Sequence, residues 1–273
     1  MCTILRNGFV FGLLTLFYWP TLFNLFHSRW DYIDYTHAYF MLPVSLILVW
    51  TRRHELAKAA SSGRPLSEDL YFFGIFAFGL AAAIFAWRES YIFLTTLALL
   101  PILYGLSGFL YGNGVTKILS FPILYLLFMV PPPLGILDSI TLPMRYGVSV
   151  ATEKTLSLFN YPITREGLLL FIGGKEVYLG EACSGFRSLI TLSSLGAAYI
   201  YLLKTGSRKK WLIATSIIPL ALIGNFLRVV SVVLATHYLG VTQAQQYYHD
   251  FSGFGVFLFM VLGLLWIEKK VRD

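Results

Sequence analysis

The chain has 273 residues, of which 57% are hydrophobic and only 13% charged, and it carries a formal charge of +7. A soluble domain holds roughly a quarter charged residues, so this composition, with a mean hydropathy of +0.69, excludes that class and indicates an integral membrane protein. The basic residues lie in short loops between apolar runs and not on one soluble face, which makes them a topology signal and excludes nucleic acid as a partner.

The first apolar run covers about residues 8–26. It is followed by His27-Ser28-Arg29-Trp30-Asp31 and no small-residue cleavage site, so it reads as an anchor and not as a removed leader. A second run, about 33–50, ends in Thr51-Arg52-Arg53-His54, and the breaker Ser61-Ser62-Gly63-Arg64-Pro65 separates it from a third at about 70–87. The tight Arg88-Glu89-Ser90 turn leads to a fourth run, about 91–110. Tyr111-Gly112-Asn113-Gly114 turns the chain into a fifth, about 118–130.

Pro131-Pro132-Pro133 then stops the helix. Residues 134–161 are amphipathic, carrying Asp138, Arg145, Glu153 and Lys154; they predict helices lying along the membrane surface, with a kink at Pro143. Within 167–179, two short β-prone runs flank Gly173-Gly174, which predicts a hairpin. Three more helices follow, over about 183–203, 211–238 and 251–267. The predicted fold is an all-α integral membrane bundle of about eight transmembrane helices, one domain over 1–273. Its outer-face insertion, about 131–180, holds the amphipathic helices and the short β-hairpin before the Cys helix.

Lys and Arg in alternate loops orient this bundle. Clusters such as Arg52-Arg53, Arg208-Lys209-Lys210 and Lys269-Lys270 fall on one side, whereas the opposite side receives Arg29, Arg88, Arg145, Lys154, Arg165 and Lys175, spread over far more loop. Both termini are therefore expected in the cytoplasm. Cys183 opens the sixth span from outside, His249 opens the eighth from outside, and Arg228 lies 17 residues beyond Trp211 in the seventh. At 1.5 Å per residue that is about 25 Å up a core about 30 Å thick. Three reactive side chains from three helices are thus expected at one depth, near the outer surface.

Each of these side chains also has an ordinary role. Cys183, in Gly180-Glu181-Ala182-Cys183-Ser184-Gly185-Phe186-Arg187, reads as a small buried thiol or as a nucleophile, and Arg187, four residues on, would share its helix face. Glu181 and Ser184 suit helix capping. Arg228 in an apolar span costs roughly 2.5–3.5 kcal/mol on insertion scales. It is explained by snorkelling to outer headgroups, or as an anion clamp or oxyanion stabiliser. Asn225, one turn earlier, would orient it. His249 is an interfacial residue or an acid/base group, and Asp250 its orienter or a cap. His37 is a core or substrate contact, and His237 points to the same outer side without a motif around it. One Cys and scattered His give no metal-ligand spacing, so neither metal nor cofactor is expected.

Glu181-Ala182-Cys183-Ser184-Gly185, Asn225-Phe226-Leu227-Arg228-Val229 and His249-Asp250-Phe251-Ser252-Gly253 together resemble the three motifs of exosortases and archaeosortases. Thr36-His37-Ala38 resembles a Ser-His-Gly segment of that family with two departures, and the Pro-Pro-Pro stretch also fits. His249, where archaeosortases tend to carry Arg, resembles the bacterial exosortase branch. The resemblance implies a multi-pass protein of the bacterial inner membrane, a cysteine transpeptidase acting at the outer face. Its substrates would be membrane-anchored proteins with a C-terminal sorting tail: a Pro-Glu-Pro-type (PEP-CTERM) motif, a transmembrane helix and a basic cluster. It further implies Cys183 as nucleophile, His249 as acid/base and Arg228 as stabiliser of substrate or oxyanion, often in the context of exopolysaccharide production. Two other readings stay open on the residues alone: a transporter or exopolysaccharide-export component that binds an anion at Arg228, and a non-enzymatic scaffold. The oligomeric state and the acceptor of the acyl group are not legible.

Overall fold

The computed structural model describes residues 2–30, 35–59, 66–241, 244 and 249–270, which fall into two compact units, 1–133 and 134–273. In the first, α1 (Cys2–Asn24) runs into a π turn over Leu25–Arg29. A 3₁₀ turn at Thr36–Phe40 leads into α2 (Met41–Thr51), followed by α3 (Arg53–Ala59), α4 (Leu66–Arg88), α5 (Ile92–Tyr111) and α6 (Asn113–Tyr125). The expected fifth helix therefore begins earlier, because Gly112 alone makes the turn at φ 84°, and it tightens to 3₁₀ over Leu126–Met129 ahead of the prolines.

Helices α4 and α5 form a close hairpin. A Cβ at Gly105 would collide with the Phe76 backbone, and one at Gly108 with the Phe72 ring. Small residues let the two backbones approach where lipid offers no hydrophobic drive for association. Polar side chains tie the remaining elements: Tyr18 Oη donates to Thr95 O at 3.2 Å, Ser45 Oγ to Pro122 O at 2.8 Å and Trp30 Nε1 to Met129 O at 3.3 Å.

The second unit opens with α7 (Leu134–Leu158), one helix where several were expected, with Pro143 inside it. Its buried face carries polar residues beside Leu137, Val148 and Leu156. Thr141, Arg145, Ser149 and Thr152, at helical spacing, are buried, whereas Ile136, Ile140, Leu142 and Tyr146 are exposed. The polar stripe of α7 thus faces protein.

The expected hairpin is present as β2 (Leu169–Ile172) and β3 (Lys175–Tyr178), and a third strand, β1 (Ile163–Glu166), was not anticipated. The sheet is antiparallel in the order β1-β2-β3, with Glu166 opposite Leu169 and Ile172 opposite Lys175. Both turns are two-residue loops. Gly173 and Gly174 take φ 55° and 77°, and Gly167 takes φ 61°, the left-handed values such tight hairpins require. Leu170 and Ile172 on the central strand are fully buried and pack with Val148, Leu156, Val229 and Val233.

Three helices complete the unit: α8 (Phe186–Leu202), α9 (Ser207–Leu239) and α10 (His249–Lys270). Leu192 of α8, Ile213, Ile217 and Ala221 of α9, and Met260 and Leu264 of α10 form a second core. Among the described residues, four helical stretches are long and apolar enough to cross a membrane: Gly8–His27, Glu68–Arg88, Ile92–Tyr111 and Ser207–Leu239. Thr36–Thr51 and Asn113–Met129 are shorter apolar helical stretches. This is a polytopic membrane protein in which, among the described residues, four of the eight expected spans meet the length and hydropathy required.

Candidate functional site

The segment before α8 is not helical in the way its spacing suggested. Glu181–Ser184 forms a 3₁₀ turn, and Gly185 then takes a left-handed φ of 75° before α8 starts at Phe186. The turn closes through Cys183 N–H donating to Gly180 O at 3.0 Å. This break separates Cys183 from Arg187. The thiol is half-buried while Arg187 is exposed, so the shared face expected from i,i+4 spacing is not formed. Ser184 is buried, and its Oγ accepts from Phe186 N–H at 3.2 Å, while the N-cap position itself is Gly185.

Gly185 is required twice over. Its φ is one that L side chains rarely adopt, and a Cβ there would sit 2.6 Å from Asn225 Cγ. That close approach lets Asn225, buried on α9, donate from Nδ2 to Cys183 O at 2.9 Å. Arg228, three residues further along α9 and also buried, lies near enough for its charge to act on the thiol. Asn225 and Arg228 therefore hold and polarise the Cys183 turn from one helix.

A second guanidinium reaches the same place. The Glu181–Ser184 turn packs against α7, and Arg145 of that helix, only 8% exposed, also acts electrostatically on Cys183. The sequence places Arg145 on an amphipathic helix along the membrane surface, whereas the structure buries it. The signal that would have found it is the row of small hydroxyls at its helical spacing, Thr141, Ser149 and Thr152. Such a row suits a face turned to protein.

Cys183 lies in the turn outside the helices. Burial pushes its thiol above the ordinary cysteine range; Arg228, a backbone hydrogen bond at Gly180 and Arg145 pull it down, in that order, without cancelling the burial. The resting thiol is thus protonated near neutrality, and forming thiolate needs a base to take its proton.

The antiparallel packing of α9 and α10 sets what lies opposite Arg228. Lys209, at the start of α9, pairs with Glu268, at the end of α10, at 3.0 Å. Leu220 packs at Gly263, and Gly224 faces Met260 and Val256. Continued at this register, Arg228, one turn beyond Gly224, comes level with α10 about one turn before Val256. The side chains of Glu181, His249 and Asp250 lie outside the described residues.

Two further histidines have structural settings. His37, in the first unit, is buried with Nε2 3.2 Å from Phe128 O and its ring edge-on to Tyr35. His237 lies under the β2–β3 turn, its Nδ1 2.8 Å from where a Gly173 Cβ would be. No group of three or more metal-binding side chains occurs among the described residues.

A family model described as transmembrane exosortase matches residues 30–266, well over half of the chain. No curated protein matches it, and no solved structure does.

Proposed function

We propose a function from one premise: the chain belongs to the transmembrane exosortase family. On our reading it is a cysteine transpeptidase of the bacterial inner membrane. It cleaves proteins at a C-terminal sorting tail, a Pro-Glu-Pro-type motif followed by a transmembrane helix and a basic cluster. The active site lies at the outer face and both termini in the cytoplasm, as the distribution of Lys and Arg favours. The observation that carries the reading is the convergence on Cys183: its carbonyl fixed by Asn225 at 2.9 Å and its sulfur within the field of Arg228.

The chemistry follows from those groups. The Cys183 sulfur attacks the scissile peptide carbonyl, its proton passing to His249, and a C–S bond forms while the carbonyl oxygen becomes an oxyanion. Arg228 stabilises that oxyanion with donors already in place. The C–N bond then breaks, His249 returns the proton to the departing amine, and a thioester remains on Cys183. A water or amine nucleophile attacks the thioester and releases the product, regenerating the thiol.

The test is processing of a tailed reporter in membranes containing Cys183→Ala. The reading expects uncut precursor to accumulate while the variant is present at normal abundance; mature reporter in that strain excludes Cys183 as the nucleophile. A transporter that uses Arg228 for an anion would be indifferent to the same substitution.

A further inference from the structure

At the corner where α8 gives way to α9, the structure holds an open cavity of about 270 Å³ lined by Ile200, Ser207, Lys210, Trp211 and Ala214. It lies at the far end of α8 from the Cys183 turn, since that helix runs from Phe186 to Leu202. The 33 residues of α9 rise about 50 Å, more than the roughly 40–45 Å of a bilayer with its headgroups. The first turn of α9 therefore stands at headgroup level, and Ala214 sits one turn deeper than Lys210. Trp211 is 71% exposed, as suits an aromatic ring at the membrane–water interface.

Charge at this corner is one-sided. Lys204 and Arg208 flank the cavity in the chain and Lys210 lines it. Glu268, the acid that reaches the start of α9, is taken by Lys209 at 3.0 Å. Among the described residues neither Arg208 nor Lys210 has an acidic partner. Basic residues on one side of a bundle are a topology signal, but that signal calls for no cavity beside them.

We propose that this cavity seats an anionic phospholipid, with its phosphate on Lys210 and Ser207 and the start of an acyl chain against Ile200, Ala214 and the Trp211 ring. The ammonium offers three donors and the hydroxyl one. The apolar lining favours a lipid over free phosphate, which would leave that lining unused. The one-sided charge favours a net-negative headgroup over a zwitterionic one, whose ammonium would meet no free carboxylate among the described residues here. On the orientation proposed above, the lipid belongs to the inner leaflet, where it fastens the end of α8 to the start of α9. The inference does not depend on Cys183 being the nucleophile.

The test is native mass spectrometry of the intact protein in detergent with an equimolar mixture of phosphatidylglycerol and phosphatidylethanolamine of identical chains. Phosphatidylglycerol should remain bound in excess. Lys210→Gln should lower that excess about fivefold, the effect of one basic side chain at a membrane surface, while Lys117→Gln, in the first unit, should leave it. Ala214→Phe, which fills the cavity and keeps every charge, should lower it as well; should that variant fail to fold, Ile200→Phe fills the cavity from α8. An excess unchanged in Lys210→Gln overturns the site. So does an excess lost in Lys210→Gln but kept in the filled-cavity variant, the mark of diffuse attraction to a basic surface. Displacement of the lipid by millimolar inorganic phosphate would make this a free-anion site and overturn the phospholipid.

Discussion

At the scale of single residues, the site is a balance between burial and charge on one sulfur. Burial raises the thiol's pKa and Arg228 is the largest influence lowering it, so removing that charge has a definite sign. In Arg228→Gln the thiolate loses its main stabiliser, the pKa rises further, and less thiolate is present at any pH below it. Alkylation of Cys183 by iodoacetamide should then slow near neutrality, with the midpoint of its pH profile displaced upward. A profile that stays put or moves down contradicts this electrostatic account. Arg228→Lys keeps charge but loses the fork; reporter processing should fall on the order of a hundredfold, the usual scale for losing an oxyanion donor. Near-normal processing would return Arg228 to a lipid-snorkelling role. Gly185→Ala is the backbone counterpart. A left-handed L-residue costs about 1–2 kcal/mol, and here the new methyl also displaces Asn225. Both thermal stability in detergent and processing should drop.

At the scale of elements, the sheet and α7 form the mount that brings the Cys183 turn to α9. Lys175 Nζ donates to Thr236 O at 3.1 Å and His237 O at 2.8 Å, the last carbonyls of α9; a cation there suits the negative end of the helix. Tyr161 and Tyr238 add a hydroxyl contact at 2.9 Å. Lys175→Met should release this clamp at a cost of about 1–3 kcal/mol, seen as faster amide exchange over residues 163–178 with the core of α8–α10 unchanged. Uniform exchange across the unit would mean the clamp is dispensable.

The β2–β3 hairpin was legible because Gly173-Gly174 between two β-prone runs admits few other structures. Strand β1 was not, because Ile163-Thr164-Arg165-Glu166 is short and polar, and its pairing is decided by the turn at Gly167. The shared face of Cys183 and Arg187 failed for a local reason: helical spacing was extended across Gly185, where the backbone turns left-handed. Arg145 was missed because periodicity reports that a helix has two faces without saying which one meets protein. In α7 the hydroxyl and guanidinium stripe is buried together with Val148 and Leu156, while Ile136, Ile140, Leu142 and Tyr146 are exposed.

At the scale of the whole molecule, composition was enough to establish a polytopic membrane protein, and loop charges carry only the orientation proposed for it. The number of crossings was harder to read. Residues 36–51 and 113–129 fall short of a full span, and hydropathy alone does not separate a short crossing from a half-buried helix. The family match over residues 30–266 spans both compact units. The proposed chemistry, by contrast, rests on elements of the second unit: the turn at Cys183 and α9.

The most direct measurement is the intact mass of the Cys2→Ser protein after brief incubation with a tailed substrate and an acid quench. The account predicts a covalent adduct equal to the acyl portion of the substrate, mapped to the Cys183 peptide, removed by hydroxylamine and absent in Cys183→Ala. Efficient cleavage with no such adduct even in rapid-quench samples, or with the adduct on another residue, would contradict a thioester at Cys183.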